Sequence, residues 1–317
     1  MRKNNIYIIA GPTAVGKSAC AIELAKRIDG EIVNCDSVQL YKYVDIGSAK
    51  PSAEDMKKVP HHLFSIVEPD YVMTAATYQK LAFAVINNIL ARGKTPILVG
   101  GTGLYMNSII YDMDFAGKDE NRTRRLELEK MAEEKGAEYM HNYLSGLDPA
   151  SAERIHPNNV RKVIRAIEAF EQGDAIKSLK ECPLNPNYNF ELYALTMDRE
   201  VLYERINWRV ISLLKKGLIE EVKGLLDKGY NINLSSMKGI GYKELYSFIK
   251  GEEPFNVAAK NIMKNTRHYA KKQITWLKRY DFARWINVKP DDTPAMIADK
   301  IINYDRNHES ETEVTGE

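Results

Sequence analysis

Short apolar runs alternate with helical periodicity along the first third of the chain. Three runs have the length and composition of buried strands: residues 6–10, 31–36 and 95–101. After the first run, a helical pattern places apolar residues at i, i+3, i+4 and i+7, namely Ala21, Leu24, Ala25 and Ile28. A second helical pattern covers residues 75–91. Strands that alternate with helices predict an α/β fold, in which a parallel sheet is flanked by helices and ligands bind beyond the carboxyl ends of the strands.

Strand-like runs stop near residue 118, and helical patterns continue to residue 173. A linker rich in proline and asparagine precedes one more apolar run at 190–197, typical of a strand that returns to the sheet. Long helical patterns follow at 199–228 and 258–280. These patterns predict a first core part (1–115), an inserted helical subdomain (116–186), a core return with carboxyl-terminal helices (187–305) and an acidic disordered tail (306–317).

Composition limits the class of protein. Of 317 residues, 44% are hydrophobic, which is enough for a folded core. Lys and Arg number 45 against 43 Asp and Glu, so the net charge of +2 indicates no partner until the charges are located. The three cysteines include no C-x-x-C pair, which argues against a zinc site or a disulfide framework. With no signal-peptide core and no apolar run of about 18 residues, the sequence predicts a cytoplasmic protein without membrane contact.

The segment GPTAVGKS fits the phosphate-binding pattern G-x-x-x-x-G-K-[ST] between a strand and a helix. Its backbone N–H groups and the positive end of the helix dipole surround an anion, and Lys17 adds a charge. The Ser18 hydroxyl suits the Mg²⁺ that accompanies a polyphosphate. The phosphate-binding residues are therefore predicted to be Gly11, Pro12, Thr13, Ala14, Val15, Gly16, Lys17 and Ser18. The flanking elements argue against a chance glycine turn and predict a sheet like that of the P-loop NTPases.

A nucleotide hydrolase also places an acid at a strand end to hold Mg²⁺, but the third strand here ends ILVGGTGLY. Asp36 ends the second strand and could serve, so a kinase that uses this loop stays an alternative. Beside the anion site, Asp36 also suits a general base. Asp36 and Gln39 equally fit a capping box that starts a helix, and from these residues alone the cap is preferred. Thr102 is a second hydrogen-bonding group at the predicted edge.

Basic residues concentrate near the carboxyl end of the chain. Four cations share one helix face at i, i+4, i+7 and i+11: Lys260, Lys264, Arg267 and Lys271. Tyr269, Trp276 and Tyr280 are interleaved with them. Cations with aromatic residues favour an RNA backbone and unstacked bases over a solvated surface helix, which would mix both signs. Arg161 and Arg165 share a face in the helical insertion and predict a second basic contact.

Several blocks in a fixed order resemble the bacterial tRNA dimethylallyltransferases, also called tRNA isopentenyltransferases. The blocks are GPTAVGKS, DSVQLYKYVDIGSAKP, HHL, GGTGLY, RIHPNNVRKVIRAIE, KGIGYKEL and YAKKQITW. The resemblance covers nearly all of the chain except the tail and is far more specific than the loop alone. It implies an enzyme that transfers the allyl group of dimethylallyl diphosphate to N6 of adenosine 37, just 3′ of the tRNA anticodon, with Mg²⁺ as cofactor. The loop would then hold a diphosphate rather than ATP.

The resemblance also implies roles for individual residues. The catalytic residues, with the first as general base for the N6 proton and the others easing departure of the diphosphate, are Asp36, Lys17, Thr102 and Arg209. The implied tRNA-binding residues are Asp36, Ser37, Val38, Gln39, Thr102, Arg125, Arg161, Lys162, Val163, Ile164, Arg165, Lys264, Arg267, Lys271, Gln273 and Trp276. The adenine must leave the folded anticodon stem-loop to be reached, as for other base-modifying enzymes. The chain is expected to act as a monomer.

Two departures and three alternatives accompany this interpretation. Lys162 stands where the family pattern has an arginine, which keeps the charge but loses the two-pronged geometry. The chain has no carboxyl-terminal cluster of Cys and His like the zinc finger of eukaryotic relatives, and this fits the bacterial type. The alternatives are a nucleoside or metabolite kinase, an isopentenyltransferase acting on free AMP or ADP, and a non-catalytic RNA-binding protein. A kinase does not account for the basic aromatic stretch, and the second has no need of an RNA surface. The third leaves Asp36 beside an intact loop without a purpose.

Overall fold

The computed structural model describes residues 4–113, 122–173 and 181–314. The chain forms two compact units. The core unit comprises Met1–Ile110 and Asn185–Glu317, and the helical unit comprises Tyr111–Leu184. The sequence places the helical unit at 116–186, and within that range residues 116–121 and 174–180 lie outside the described part.

Six strands form one sheet in the described part of the core unit: β1 (Asn5–Ala10), β2 (Gly30–Cys35), β3 (His61–His62), β4 (Thr95–Gly100), β5 (Asn189–Thr196) and β6 (Arg284–Asn287). Their order is β3-β2-β4-β1-β5-β6, and every neighbouring pair is parallel. This arrangement confirms the predicted α/β fold. The sequence pattern does not predict β3 and β6, because runs of two and four residues are too short to show a periodicity.

The helices of the described residues are, in chain order, α1 (Lys17–Arg27), α2 (Ala53–Lys58), α3 (Ala75–Ala91), α4 (Gly103–Ile110), α5 (Arg122–Leu147), α6 (Pro149–Arg154), α7 (Val160–Glu171), α8 (Arg199–Lys215), α9 (Leu218–Asp227), α10 (Tyr242–Ile249), α11 (Phe255–Leu277) and α12 (Pro294–Val314). The strand β2 is buried along its whole length, as expected for a parallel sheet covered on both faces. Since the strands all point the same way, the ends of β1, β2 and β4 meet at one edge of the sheet, where Gly11, Asp36 and Gly100 lie. None of the described helices is long and apolar enough to span a bilayer.

The stretch 199–228, which shows one continuous helical pattern, forms two helices. Gly217 separates α8 from α9 with φ +99°, a left-handed conformation that glycine adopts without a steric penalty. The break lets both helices bury side chains in one apolar cluster, where Val210 and Leu218 pack with Tyr242 and Ile262. This cluster lies beside the candidate site described below.

Residues 306–314, predicted as part of a disordered tail at 306–317, instead continue α12. The beginning of α12 is anchored in the core by Ile297, Ala298 and Ile301, which are all buried. Once a helix is nucleated, each further residue adds one hydrogen bond, and glutamate is a good helix former. The helix therefore extends beyond its packed part although few apolar residues remain. Residues 315–317 lie outside the described part.

The helical unit has its own apolar core. Side chains from its helices pack together there, among them Leu128, Met140, Leu144, Val163, Ile164 and Ile167. Within α5, Gly136 has φ +85° and interrupts the helix, which redirects its second half. Asp148 caps α6 by accepting a hydrogen bond from Ser151 N at 3.0 Å. The unit is thus a compact helical body.

Candidate active site

The segment that follows β1 surrounds an open helix end. Gly11 has φ +151°, and a Cβ there would lie 2.6 Å from Leu195 O, so only glycine fits. Gly16 precedes α1 with φ +107°, and no side chain caps the helix. The first N–H groups of α1, at Lys17 and Ser18, have no acceptor within the helix. Backbone donors at the positive end of the helix dipole therefore form an anion site.

Two cations from different elements lie beside this anion site. Lys17 Nζ donates to Gly11 O at 3.0 Å and to Pro12 O at 2.9 Å. Burial, and then the positive charge of Arg209, lower the pKa of Lys17 from 10.5 to about 8, while Asp36 acts in the opposite direction. Burial also lowers the pKa of Arg209. Two desolvated cations that repel each other would be stabilised by an anion placed between them.

Asp36 lies just beyond β2 in a turn. Its Oδ1 accepts from Val38 N at 2.9 Å, and its own N–H donates to Asn34 Oδ1 at 2.9 Å. Gln39 Nε2 donates to Ser48 O at 2.9 Å, so it does not bond back to the aspartate. The capping-box alternative is therefore wrong, because residues 37–40 form a turn and not the start of a helix. The Asp36 carboxylate stabilises this turn.

Thr102 ties the ends of two neighbouring strands together. Its Oγ1 accepts from Ser37 N at 3.0 Å and donates to Ser37 Oγ at 3.3 Å. Its own N–H donates to Cys35 O at 3.2 Å. The predicted catalytic threonine thus fixes the residue that follows Asp36, and its hydroxyl lies at the same sheet edge.

The helix α11 supports the phosphate loop from the side. Gln273 Oε1 accepts from Thr13 N at 2.9 Å, and its Nε2 donates to Gly101 O at 3.3 Å. A Cβ at Gly101 would overlap the Gln273 amide, so this close approach requires glycine. Tyr269 on the same helix also lines the cavity, and burial raises its pKa. The helix α11, which carries the basic face, is therefore hydrogen-bonded to the loop that forms the anion site.

A cavity of about 690 Å³ contains these groups. The phosphate loop, Asp36 and Arg209 contribute its charged groups. Apolar and aromatic side chains from the carboxyl-terminal helices also line it: Val210, Leu213, Leu218, Tyr242, Ile262 and Tyr269. An anion site, a carboxylate and an apolar wall in one cavity suit a ligand with a charged part and an apolar part.

Comparison with known proteins identifies the family. Residues 39–280 match the family model described as IPP transferase. The chain belongs to the IPP transferase family. A tRNA dimethylallyltransferase from Alkaliphilus oremlandii is 46% identical over 308 residues, which cover 96% of this chain and 98% of the relative. A relative of the same name from Clostridioides difficile is 44% identical and covers 96% of this chain and 98% of its own length.

Solved structures of IPP transferases have the same fold. The full-length tRNA isopentenylpyrophosphate transferase of Bacillus halodurans matches with a TM-score of 0.73 and 38% identity, over 99% of this chain and 100% of its own. A eukaryotic dimethylallyltransferase acting on tRNA matches with a TM-score of 0.76 and 25% identity, over 89% of this chain and 73% of its own. These findings confirm the predicted family and fold, and the names of the relatives count against the kinase alternative.

The cavity of this IPP transferase brings together most of the residues predicted in the core unit: Thr13, Ala14, Gly16, Lys17, Ser18, Asp36, Ser37, Val38, Gln39, Arg209 and Gln273. Their roles stay predictions. Sequence reasoning did not assign Lys50, Lys238, Thr266 or Tyr269 to the site, although all four also line the cavity. Lys50, Lys238 and Tyr269 fall within the family-like blocks, but their spacing alone does not show that they approach the phosphate loop.

The sequence predicts that three cations of α11 bind RNA. We call these residues, Lys264, Arg267 and Lys271, the α11 cations. Lys264 and Lys271 are exposed. Arg267 donates to Asn207 Oδ1 at 2.6 Å, which places its guanidinium against α8. Trp276 is half-buried, and a Cβ at Gly103 would overlap its indole. The helix therefore offers exposed positive charge along a face, while its aromatic end packs against the amino-terminal end of α4.

The predicted RNA residues of the helical unit divide into exposed and buried groups. Arg161 and Lys162 are exposed on α7. Arg125 Nε donates to Glu168 Oε1 at 3.0 Å, which orients its guanidinium. Val163 and Ile164 are buried in the core of the unit, 0% and 5% exposed. Assigning these two side chains to RNA contact needs correction, because the apolar face of α7 packs inward and RNA could not reach it without opening the core.

Proposed function

We propose that the protein transfers the dimethylallyl group of dimethylallyl diphosphate to N6 of adenosine 37, next to the anticodon of tRNA, with release of diphosphate. The observation that carries the proposal is one cavity that holds a phosphate loop, two desolvated cations and a carboxylate beside an apolar wall. The names of the relatives, tRNA dimethylallyltransferase, support the same activity.

The diphosphate is assigned to the loop of residues 11–18. Backbone N–H groups at the start of α1 donate to its oxygens, and Lys17 and Arg209 supply positive charge. In the reaction, the bond between the allylic carbon and the bridging oxygen breaks, and its electron pair leaves with the diphosphate. Preorganised donors and cations stabilise the charge that develops on this leaving group. Because the site is desolvated, each of these interactions is stronger than in water.

The acceptor amine is assigned to Asp36. As the N6 lone pair forms the new bond to the allylic carbon, the amine proton passes to the Asp36 carboxylate. The hydrogen bond from Val38 N orients the carboxylate at 2.9 Å, and Thr102 holds the neighbouring Ser37. The base therefore does not depend on a flexible side chain alone for its position.

The residues present also fit a magnesium ion that arrives with the diphosphate. Among the described residues no group of three His, Cys, Asp or Glu could hold a metal by itself. Ser18 lines the cavity at the start of α1, and its hydroxyl is the donor that this motif provides. Mg²⁺ is commonly bound through substrate phosphates, water and few protein ligands, so this donor set is sufficient. When bound, the ion would neutralise part of the charge on the leaving diphosphate.

The RNA is assigned to the α11 cations, of which Lys264 and Lys271 are exposed, and to two exposed cations of α7. The α11 cations and Arg161 and Lys162 on α7 are suited to phosphate groups of the anticodon stem-loop, and the adenine is extruded into the cavity. The apolar wall excludes water, which would otherwise attack the allylic carbon and hydrolyse the dimethylallyl diphosphate. The cytoplasmic location and the monomeric state stay predictions.

A transfer assay tests the proposal. The protein is incubated with Mg²⁺, unmodified tRNA and labelled dimethylallyl diphosphate in the absence of ATP. We expect label on the adenosine 3′ of the anticodon after nuclease digestion, and none on a tRNA that carries guanosine at that position. A requirement for ATP together with phosphate on the acceptor would make the protein a kinase. Label on free AMP, without transfer to tRNA, would favour the free-nucleotide isopentenyltransferase.

A further inference from the structure

One carboxylate outside the phosphate loop holds a segment of the cavity wall. Glu221 on α9 accepts hydrogen bonds from three consecutive backbone N–H groups. Its Oε2 accepts from Asp45 N at 2.9 Å and from Ile46 N at 2.6 Å, and its Oε1 accepts from Gly47 N at 2.9 Å. Hydrogen bonds to an ionised acceptor are about twice as strong as neutral ones, so this segment is firmly anchored.

A buried tyrosine also donates a hydrogen bond to the Glu221 carboxylate. The Tyr242 hydroxyl donates to Glu221 Oε1 at 2.6 Å, and the Tyr242 side chain is completely buried. A Cβ at Gly47 would overlap the Tyr242 ring, so glycine lets the backbone lie directly on α10. If the Glu221 carboxylate changed its orientation, it would lose the hydrogen bond from Tyr242 as well as those from the backbone.

The anchored segment in turn holds Gln39. Residues 45–49 form a turn in which Ala49 N donates to Ile46 O at 2.9 Å. The carbonyl groups of Ser48 and Ala49 then accept from Gln39 Nε2 at 2.9 Å and 3.3 Å. Both hydrogens of the Gln39 amide nitrogen are used by these carbonyls. The group that this amide can offer to a ligand in the cavity is consequently its oxygen, an acceptor for an N–H donor.

We propose that Glu221 is a positioning residue for the acceptor nucleobase: through the segment 45–49 it sets the Gln39 amide so that its oxygen accepts from an exocyclic amine beside Asp36. This inference rests on the proposed function. An adenine amine carries two hydrogens, of which one leaves to the base and the other can be held by the glutamine oxygen. A guanine or hypoxanthine oxygen at the same place would meet an acceptor and be rejected.

The alternative is that Glu221 only stabilises the fold. A purely structural role would lower the melting temperature and affect both substrates alike. A positioning role would affect the tRNA substrate alone, and its effect would depend on Gln39. A misplacement of about 1 Å can cost on the order of a hundredfold in rate, so the effect is measurable.

The test compares Glu221→Gln with Glu220→Gln in steady-state transfer to tRNA. Glu220 lies in the same first turn of α9 and is exposed, so its variant removes the same charge from the same helix end. We expect Glu221→Gln to lower kcat/KM for tRNA by roughly 10- to 100-fold, with the KM for dimethylallyl diphosphate within about twofold of wild type. Glu220→Gln should match wild type. In a Gln39→Ala background, Glu221→Gln should cause less than about threefold further loss, since coupled residues are not additive.

The outcomes separate the inference from the proposed function. A wild-type protein that modifies no tRNA would refute the proposed function. An active wild type with Glu221→Gln equally active, or with the same loss in both backgrounds, would refute the positioning role alone. If Glu221→Gln melts far below wild type, Tyr242→Phe replaces it, because that variant removes one donor to the carboxylate and keeps the buried ring. A loss in kcat/KM for tRNA that disappears in the Gln39→Ala background supports the inference, and an additive loss or none overturns it.

Discussion

The lowered pKa of Lys17 predicts a pH dependence of diphosphate binding that an ordinary lysine would not show. Burial and the charge of Arg209 lower this pKa from 10.5 to about 8. Binding of a diphosphate requires the protonated form, so affinity is nearly complete at about pH 7, one unit below this pKa, and is lost as the pH rises through about 8. At a pH one unit above the pKa only about one molecule in ten is protonated, whereas an ordinary lysine would be nearly fully charged.

Apparent affinity should therefore fall roughly tenfold between about pH 7 and pH 9, equivalent to about 1.4 kcal/mol. Isothermal titration with isopentenyl diphosphate measures this, because the probe carries the same diphosphate but no allylic carbon to release. Lys17→Arg is the matched control, since a guanidinium stays charged throughout and the profile should become flat. Arg209→Met should move the inflection to higher pH, because it removes the positive charge that lowers the Lys17 pKa. A flat wild-type profile, or an inflection that persists in Lys17→Arg, would refute the reasoning.

Three further predictions test other parts of the site. Asp36→Asn should lower the single-turnover rate by roughly 10²- to 10⁴-fold while tRNA binding persists, since asparagine can still accept from Val38 N; a wild-type rate would exclude Asp36 as the base. Replacing the α11 cations with glutamine should reduce the magnitude of the slope of log affinity for tRNA against log salt concentration by about 2. An unchanged slope would show that this helix does not contact the RNA. Gly103→Ala should lower the free energy of unfolding by about 1–3 kcal/mol in denaturant melts, because the added methyl overlaps an indole. Gly146→Ala in α5 is its control, where an added Cβ meets nothing within 4 Å, and equal stabilities of the two variants would contradict the packing argument.

The sheet edge and the phosphate loop could be predicted from the sequence because their signals are local. A buried run followed by GPTAVGKS specifies strand, loop and helix within about two dozen residues, and parallel strands bring their carboxyl ends to one edge. The turn after β2 was harder, since Asp36 and Gln39 fit a helix cap equally well. The structure decides it through Ser48 and Ala49, whose carbonyls take the Gln39 amide.

Other parts depend on contacts between distant segments and leave no local signal. Thr13 and Gln273 are separated by 260 positions, and Ile46 and Glu221 by 175. Periodicity marks Glu221 only as a polar residue within the long helical pattern of residues 199–228. The helical pattern also continues across Gly217, because the phase of apolar residues does not reveal a left-handed break. In each case, tertiary packing supplies the information that the pattern lacks.

The central claim is that a prenyl diphosphate occupies the loop of residues 11–18 with the acceptor amine beside Asp36. A crystal structure of the protein with an unreactive thio analogue of dimethylallyl diphosphate and an anticodon stem-loop tests it most directly. We expect the diphosphate on the backbone N–H groups at the start of α1, with the adenine N6 about 2.6–3.2 Å from the Asp36 carboxylate. A diphosphate bound elsewhere, or an adenine amine turned away from Asp36, would contradict the account.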